Sequence, residues 1–171
     1  MVLKYDLYPV MIFYNLLFLF ISNLAGLNVS EQEALYYENY FEYYNLDGSL
    51  ESTDQFHGCT VFISFWSKSC APCIRSFDRY RDLREELIND GVIIINASID
   101  NKDEWLWALD KYNPNGINVH PRKIQKLQRH FHVYFLPVYA TLDIDGKLIE
   151  YNNSQKGNIT QFAKWYKLQN Q

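Results

Sequence analysis

One segment constrains the fold more than any other: a run of large β-forming residues that leads directly into two closely spaced cysteines. The run Thr60–Trp66 reads TVFISFW, and Cys70-Ala71-Pro72-Cys73 follows after three residues. A continuous apolar run of this length, rich in β-branched and aromatic residues, is typical of a strand buried on both faces. The segment therefore predicts a central strand that ends just before a cysteine pair.

The residues after the first cysteine have the spacing of an amphipathic helix over residues 71–89. Its apolar side chains recur at intervals of three and four residues: Ile74, Phe77, Tyr80, Leu83 and Leu87. Pro72 is tolerated in the first turn because its missing N–H would have no helical partner there. A helix that begins at Cys70 places unpaired N–H groups and the positive end of the helix dipole beside its sulfur. Both stabilise a thiolate, which is the nucleophile in disulfide exchange.

The rest of the chain alternates between strand and helix patterns. The predicted elements are a turn at Asp47-Gly48 between two short extended pieces, a buried strand at Val92–Ser98, a helix at about 102–111, a loop at 113–121, a helix at about 122–130, a strand at Val138–Ile144, a turn at Asp145-Gly146, a strand at Lys147–Tyr151, and a last helix with Ile159, Phe162, Ala163 and Tyr166. Strand–helix–strand units favour parallel pairing, and the second Asp-Gly turn adds antiparallel strands. We expect an α/β fold with a mixed central sheet and helices on both faces.

The N-terminal segment predicts export or membrane attachment. Residues 7–27 carry no charge, and the apolar core from Val10 to Ile21 has the length of a signal-peptide h-region. The whole uncharged stretch is just long enough to span a bilayer. We expect residues 1–27 to be a signal peptide or membrane anchor, 28–44 a Tyr-rich spacer with a short helix and a strand, and 45–171 the folded domain. The domain would then face the periplasm or be exported, with the lumen of the secretory pathway as the alternative.

Composition excludes several classes of function. The net charge of −4 gives no basis for binding nucleic acid. Three cysteines are too few for a disulfide scaffold, and no second Cys-x-x-Cys or histidine pair has ligand spacing, so no metal or other cofactor is expected. We interpret His57, His120, His130 and His132 as solvated or hydrogen-bonded residues rather than ligands. His130 and His132 are expected to flank Phe131 in an extended segment and to point in opposite directions. Cys59 lies a full strand away from Cys70, too far to bridge it, and is expected to be a small buried residue.

The stretch Phe65–Cys73 resembles the active-site segment of thioredoxin-like proteins. Further segments are similar to those of membrane-anchored TlpA/ResA-type thiol–disulfide oxidoreductases, over roughly residues 40–168. These are Leu46-Asp47-Gly48, Phe56-His57-Gly58, Ser98-Ile99-Asp100 with Trp105, Phe131-His132-Val133, Leu136-Pro137 and Leu142–Lys147.

The resemblance implies a thioredoxin-like fold and an exchange of disulfides with protein substrates outside the cytoplasm, most simply as a reductase. Cys70 would be the attacking thiol and Cys73 the resolving thiol. Pro137 would be a cis-proline, and Leu136 would offer backbone groups to an extended substrate. The active-site loop would also contain Trp66, Ala71 and Pro72. The implied partners are proteins with cysteine pairs, an upstream dithiol donor and, if residues 7–27 are not cleaved, a membrane.

The sequence departs from this family at acidic positions near the cysteines. Ser64 replaces a frequent acidic residue, and Ser76 replaces the glutamate that many such reductases carry three residues after the second cysteine. Asp78 and Asp100 are candidate substitutes, although exposed charges are the simpler interpretation of both. A buried carboxylate assists proton transfer from the resolving thiol, so its loss affects the expected rate.

These departures leave other functions open. One alternative is an interaction or chaperone module of thioredoxin fold without turnover. Another is a thiol peroxidase, which is disfavoured because Ser67 occupies the position of the peroxidase threonine and no proline precedes it in the strand. A copper chaperone of this fold would space its cysteines with three residues between them rather than two.

Overall fold

A mixed sheet of seven strands runs through residues 39–152 and 159–170, which are the residues described in this computed structural model. The strands are β1 (Glu42–Tyr44), β2 (Leu50–Ser52), β3 (Val61–Trp66), β4 (Ile93–Ser98), β5 (Ile117–Pro121), β6 (Val138–Leu142) and β7 (Leu148–Asn152). The helices are α1 (Ala71–Arg79), α2 (Arg81–Asn89), α3 (Lys102–Tyr112), α4 (Ile124–His130) and α5 (Ile159–Gln169), with a short 3-10 turn at Thr53–Phe56. Across the sheet the order is β2-β1-β5-β4-β3-β6-β7.

The strand predicted from the apolar run lies at the centre of this sheet. β3 pairs in parallel with β4, from Val61 opposite Ile93 to Trp66 opposite Ser98. Its other neighbour, β6, is antiparallel, and β7 extends the sheet from there as a hairpin. All six residues of β3 are buried, as the lack of polar alternation predicted. The mixed sheet is therefore confirmed.

Alternate side chains of β3 enter two different cores. Ile63 and Phe65 pack on one face with Leu127 of α4. Phe62 packs on the other face with Leu87 of α2 and residues of α5. Trp66, on the same face as Phe62, packs with residues of α1 and α3. Helices therefore cover both faces of the sheet, as expected from the sequence, and α1 and α4 lie on opposite sides.

The prediction of a loop at 113–121 is wrong for the second half of that range. Ile117–Pro121 forms β5, which pairs in parallel with β4 and antiparallel with β1. Pro114, Gly116 and Pro121 suggested a loop, but they fall before the strand and at its last residue. Gly116 has φ +109°, and an added Cβ would lie 2.7 Å from the Ile94 carbonyl oxygen, so the chain needs glycine where it enters this strand.

The helix predicted over 71–89 is interrupted at Tyr80. The backbone of Tyr80 has φ −114° and ψ 22°, outside the helical region, and separates α1 from α2. The apolar spacing that predicted a single helix continues across the break, since Tyr80 and Leu83 both pack against the α2–α5 core. Periodicity alone therefore could not locate the interruption.

The N-terminal predictions lie largely outside the described residues. Residues 1–38, which hold the predicted signal peptide or anchor and most of the spacer, are not described. Glu42–Tyr44, at the end of the predicted spacer, forms β1 of the sheet, and Tyr43 is fully buried in the core. Within the described ranges, no helix has the length and apolar character needed to cross a membrane.

Two predictions about isolated residues need correction. Cys59 is free, as expected, but it is only half-buried and lies in the turn before β3 rather than inside the strand. His130 and His132 do not flank Phe131 in an extended segment. His130 ends α4, and His132 has φ +46°, so the chain turns sharply there.

Candidate active site

The two cysteines form a disulfide at the start of α1. Cys70 is the N-cap residue, and its sulfur accepts a hydrogen bond from the backbone N–H of Cys73 at 3.2 Å. The Cys70 carbonyl accepts the first helical bond, from Ile74 N–H at 3.1 Å. The helix therefore begins where the sequence predicted, with Pro72 in its first turn and the Cys73 N–H directed at the Cys70 sulfur.

An apolar cluster surrounds the disulfide. Trp66 contacts Phe77 edge-to-face at 5.3 Å between ring centroids, and Trp105 of α3 completes the wall. Cys70 retains 7% of its surface and Cys73 only 1%. Cys70 is therefore the more accessible residue of the pair.

The Leu136–Pro137 peptide bond is cis, as the resemblance implied. Leu136 packs against the disulfide cluster. Pro137 and Pro72, which stands between the two cysteines in the sequence, both line a cleft of about 170 Å³. Ala71 is exposed at the first position of α1. The fold thus brings all seven predicted site residues to one place at the carboxyl ends of the central parallel strands, where α/β sheets bind ligands.

Asp100 holds the loop that precedes the cysteines. Its Oδ2 accepts a hydrogen bond from the backbone N–H of Lys68 at 2.7 Å and another from the Ser98 hydroxyl at 3.2 Å. Lys68 also pairs with Glu104 of α3 at 2.6 Å. Asp100 therefore fixes the conformation of the loop before Cys70. Its carboxylate is not a free surface charge, and it is not part of the disulfide cluster.

No carboxylate is buried beside the cysteines in the described part of the chain, where Arg84 is the only buried charged residue. Ser76 stands at the position of the family's glutamate, and its hydroxyl donates to the Cys73 carbonyl at 2.6 Å. Asp78 points outward, with its side chain 80% exposed and paired with Arg81 at 3.0 Å. Neither Asp78 nor Asp100 replaces the missing acid inside the cluster.

Arg84 of α2 belongs to a buried polar network that was not predicted from the sequence. Arg84 retains 2% of its surface and donates to the Asn96 side chain and to the Asn115 carbonyl. Its guanidinium also lies 5.6 Å from the centre of the Phe77 ring. Burial lowers the pKa of Arg84 to about 10, so the group stays charged at neutral pH. The signal was present, because Arg84 lies four residues after Tyr80 and three before Leu87 on the apolar stripe.

The histidines are spread through the fold rather than gathered. His120 lies on β5, where its Nε2 is 3.0 Å from the Asp100 carbonyl oxygen and its ring lies 5.4 Å from that of Trp105. His130 contacts Asn39 at 3.1 Å. Among the residues that the structure describes, no group of three or more His, Cys, Asp or Glu could hold a metal ion.

This architecture and cysteine pair define a thioredoxin-like protein with its Cys-x-x-Cys disulfide at the start of a helix. The chain belongs to the AhpC/TSA family, whose model matches residues 39–154. No curated protein matches the sequence significantly.

Three solved structures illustrate the likeness, each covering 74% of this chain. The thioredoxin domain of a thiol-disulfide oxidoreductase from Bacteroides vulgatus has a TM-score of 0.66 at 17% identity, over 92% of that chain. A thiol:disulfide interchange protein from Bacteroides sp. has 0.65 at 18%, over 85% of that chain. An exposed lipoprotein thioredoxin from Streptococcus pneumoniae has 0.61 at 19%, over 98% of that chain. At these identities the likeness establishes the fold.

Proposed function

We propose that the chain is a thiol–disulfide oxidoreductase that reduces disulfides of protein substrates through Cys70 and Cys73. The observation that carries the proposal is the cysteine pair at the start of α1, with one sulfur slightly exposed, the other enclosed, and a cleft beside them. The family match and the names of the structural neighbours support the same chemistry.

The reaction we propose has two steps. The Cys70 thiolate attacks one sulfur of the substrate disulfide, which forms a mixed disulfide and releases the other substrate sulfur as a thiolate. The Cys73 thiolate then attacks the Cys70 sulfur, which restores the Cys70–Cys73 disulfide and releases the reduced substrate. Two electrons pass from the cysteine pair to the substrate. An external dithiol returns them by the reverse exchange.

The surroundings support this assignment of roles. The N–H of Cys73 and the positive end of α1 stabilise negative charge on the Cys70 sulfur. Cys73 is enclosed between Trp66 and Phe77, so it meets the substrate only after Cys70 has reacted. Leu136 packs against the disulfide cluster and Pro137 lines the cleft, which supports a role for both in receiving an extended substrate segment.

We propose that this exchange takes place outside the cytoplasm. The support is the uncharged stretch at residues 7–27 and the neighbour named as an exposed lipoprotein. Alkaline phosphatase fused after Gln171 and expressed in a bacterium should be active, because that enzyme needs an oxidising compartment to form its disulfides. Activity equal to that of a fusion lacking residues 1–27 would contradict export.

One alternative draws on a specific observation. Because the cluster holds no buried carboxylate among the described residues, a binding module without turnover remains the competing function. Reduction of a protein disulfide with dithiothreitol as donor separates the two. We expect the wild type to accelerate the reaction, Cys70→Ser to abolish the acceleration, and Cys59→Ser, the matched control outside the site, to keep it. Equal rates for wild type and Cys70→Ser would contradict the enzymatic function.

A further inference from the structure

The cleft beside the disulfide has walls of different chemical character. Pro72 and Pro137 line the part next to the cysteine pair. The α1 helix contributes Arg75 and Arg79, one turn apart on the same side. Tyr139 of β6 also lines the cleft. A substrate cysteine joined to Cys70 thus has its neighbouring residues within reach of two guanidinium groups, since each extended residue adds about 3.3–3.6 Å.

The two arginines carry positive charge that the described part of the chain does not neutralise. Arg75 and Arg79 are both exposed, and neither forms an ion pair with any described carboxylate. The acidic residue between them in sequence, Asp78, is bound to Arg81 instead. Burial raises the pKa of Tyr139, so its phenol stays neutral in the cleft wall. The lining therefore contains two cations and no anion.

The positive charge of the cleft is opposite in sign to the net charge of the chain. With 16 basic and 20 acidic residues the protein is net negative, so its overall field does not attract acidic partners. Like charges four residues apart also disfavour a helix slightly. A bound carboxylate would relieve that repulsion, and the planar donor fork of arginine suits a carboxylate.

We infer that the cleft is a specificity subsite for an acidic side chain of the substrate protein, within a few residues of the cysteine that Cys70 attacks. This inference rests on the proposed function and narrows its substrates to disulfides flanked by aspartate or glutamate. Arg75 and Arg79 contact the carboxylate, and Pro72 and Pro137 confine the segment that carries it.

The test uses three peptide disulfides that differ only in one residue beside the cysteine: glutamate, glutamine or lysine. With dithiothreitol as donor, kcat/KM for the glutamate peptide should exceed that for the lysine peptide by ~10-fold at low salt, from two exposed charge contacts. The ratio should fall toward 1 in the Arg75→Gln/Arg79→Gln variant and also at high salt. Arg129→Gln, the matched control on α4 across the sheet, should keep the wild-type ratio.

The outcomes separate this inference from the proposed function. Equal turnover of all three peptides by the wild type would overturn the acidic subsite and leave the reductase intact. Turnover of none of them would contradict both. Glutathione disulfide, a small disulfide with carboxylates of its own, is the competing source of the anion. If it were turned over faster than the glutamate peptide, with the same dependence on Arg75 and Arg79, the polypeptide assignment would be overturned.

Discussion

Two buried regions meet along α1 and α2, and they differ in almost every chemical respect. The disulfide cluster around Trp66 and Phe77 is apolar apart from its sulfurs and two indole N–H groups, which have no hydrogen-bond partner within the described residues. The network around Arg84 is polar, with a charged guanidinium, Asn96 and the Asn115 carbonyl bonded to one another. Phe77 touches both regions.

The difference indicates a division of roles. Buried polar groups that are hydrogen-bonded to one another fix one arrangement of their elements, and the Arg84 network joins α2 to β4 and to the segment that leads into β5. The cysteine pair lies at a helix start beside an apolar wall, and no carboxylate among the described residues is buried next to it. We expect the network to serve stability and the cluster to serve turnover, so substitutions in the two regions should have separable effects.

The largest expected effect on stability comes from Arg84→Ala. The change leaves the Asn96 side-chain oxygen without its donor, leaves the Asn115 carbonyl with only the bond from the Asn96 amide, and removes the contact with Phe77. We expect a loss of roughly 3 kcal/mol in the free energy of unfolding, measured by denaturant titration. Arg81→Ala, which breaks the exposed pair with Asp78 and a long exposed bond to the Asn113 carbonyl, should cost less than about 0.5 kcal/mol.

Turnover by the Arg84→Ala variant tests whether the two buried regions have separate roles. Well below its melting temperature, Arg84→Ala should keep kcat/KM within about twofold of wild type, because Arg84 lies outside the cleft lining. A loss of more than about tenfold in turnover with little change in stability would show that the network acts on the cysteines, and the proposed division of roles would be wrong.

The redox state of the pair should affect stability next most strongly. The disulfide closes a loop over a sequence separation of 3, and constraining so short a loop in the unfolded chain is worth roughly 2 kcal/mol in the chain-entropy model. We expect unfolding to require more denaturant for the oxidised protein than for the reduced protein. A Cys70→Ala/Cys73→Ala variant should respond little to dithiothreitol.

This measurement also tests whether the protein acts as a reductase or as an oxidant. A protein whose oxidised form is the more stable gives up electrons readily, as a reductase must. If the reduced form proved more stable, the thiolate at the start of α1 would outweigh the loop constraint. The chain would then act as an oxidant, contrary to the proposed function.

Asp100→Ala should affect stability less than Arg84→Ala or reduction of the disulfide, and it should also lower turnover. It removes the acceptor for Lys68 N–H and the Ser98 hydroxyl, which costs about 1 kcal/mol in the free energy of unfolding. Because the freed loop leads into Cys70, kcat/KM should fall several-fold. Glu104→Gln breaks the ion pair with Lys68 but leaves the backbone bond, so it should leave turnover unchanged. Equal losses in both variants would show that Asp100 acts only through surface charge.

Local patterns in the sequence were sufficient to predict the central part of this fold. The β3 run, the Cys-x-x-Cys spacing and the periodicity after it predicted a buried strand followed directly by the helix that the cysteines begin. Features set by tertiary contacts were missed. β5 contains Asn118 and His120 and ends in proline, so it becomes a strand only because β4 and β1 supply partners on both sides. Arg84 was overlooked for a similar reason, since its burial depends on acceptors at Asn96 and Asn115, distant in sequence.

The site was predictable where residue type determines chemistry, and not where function depends on how segments meet. The cysteines and Pro137 were identified from the sequence and its resemblance to known proteins. The cleft with Arg75 and Arg79 was not, because helical periodicity shows that the two arginines share a side of α1 but not that this side faces Pro137 and Tyr139.

The most direct test of the central claim is to trap the first step of the exchange. Reduced Cys73→Ala protein, also carrying Cys59→Ser, is mixed with a peptide disulfide, and the products are mapped by mass spectrometry. We predict a stable mixed disulfide on Cys70, because the sulfur that would resolve it is absent. The matched Cys70→Ala/Cys59→Ser protein should form almost none, since Cys73 is enclosed. Comparable adducts on Cys73, or none on Cys70, would contradict the account.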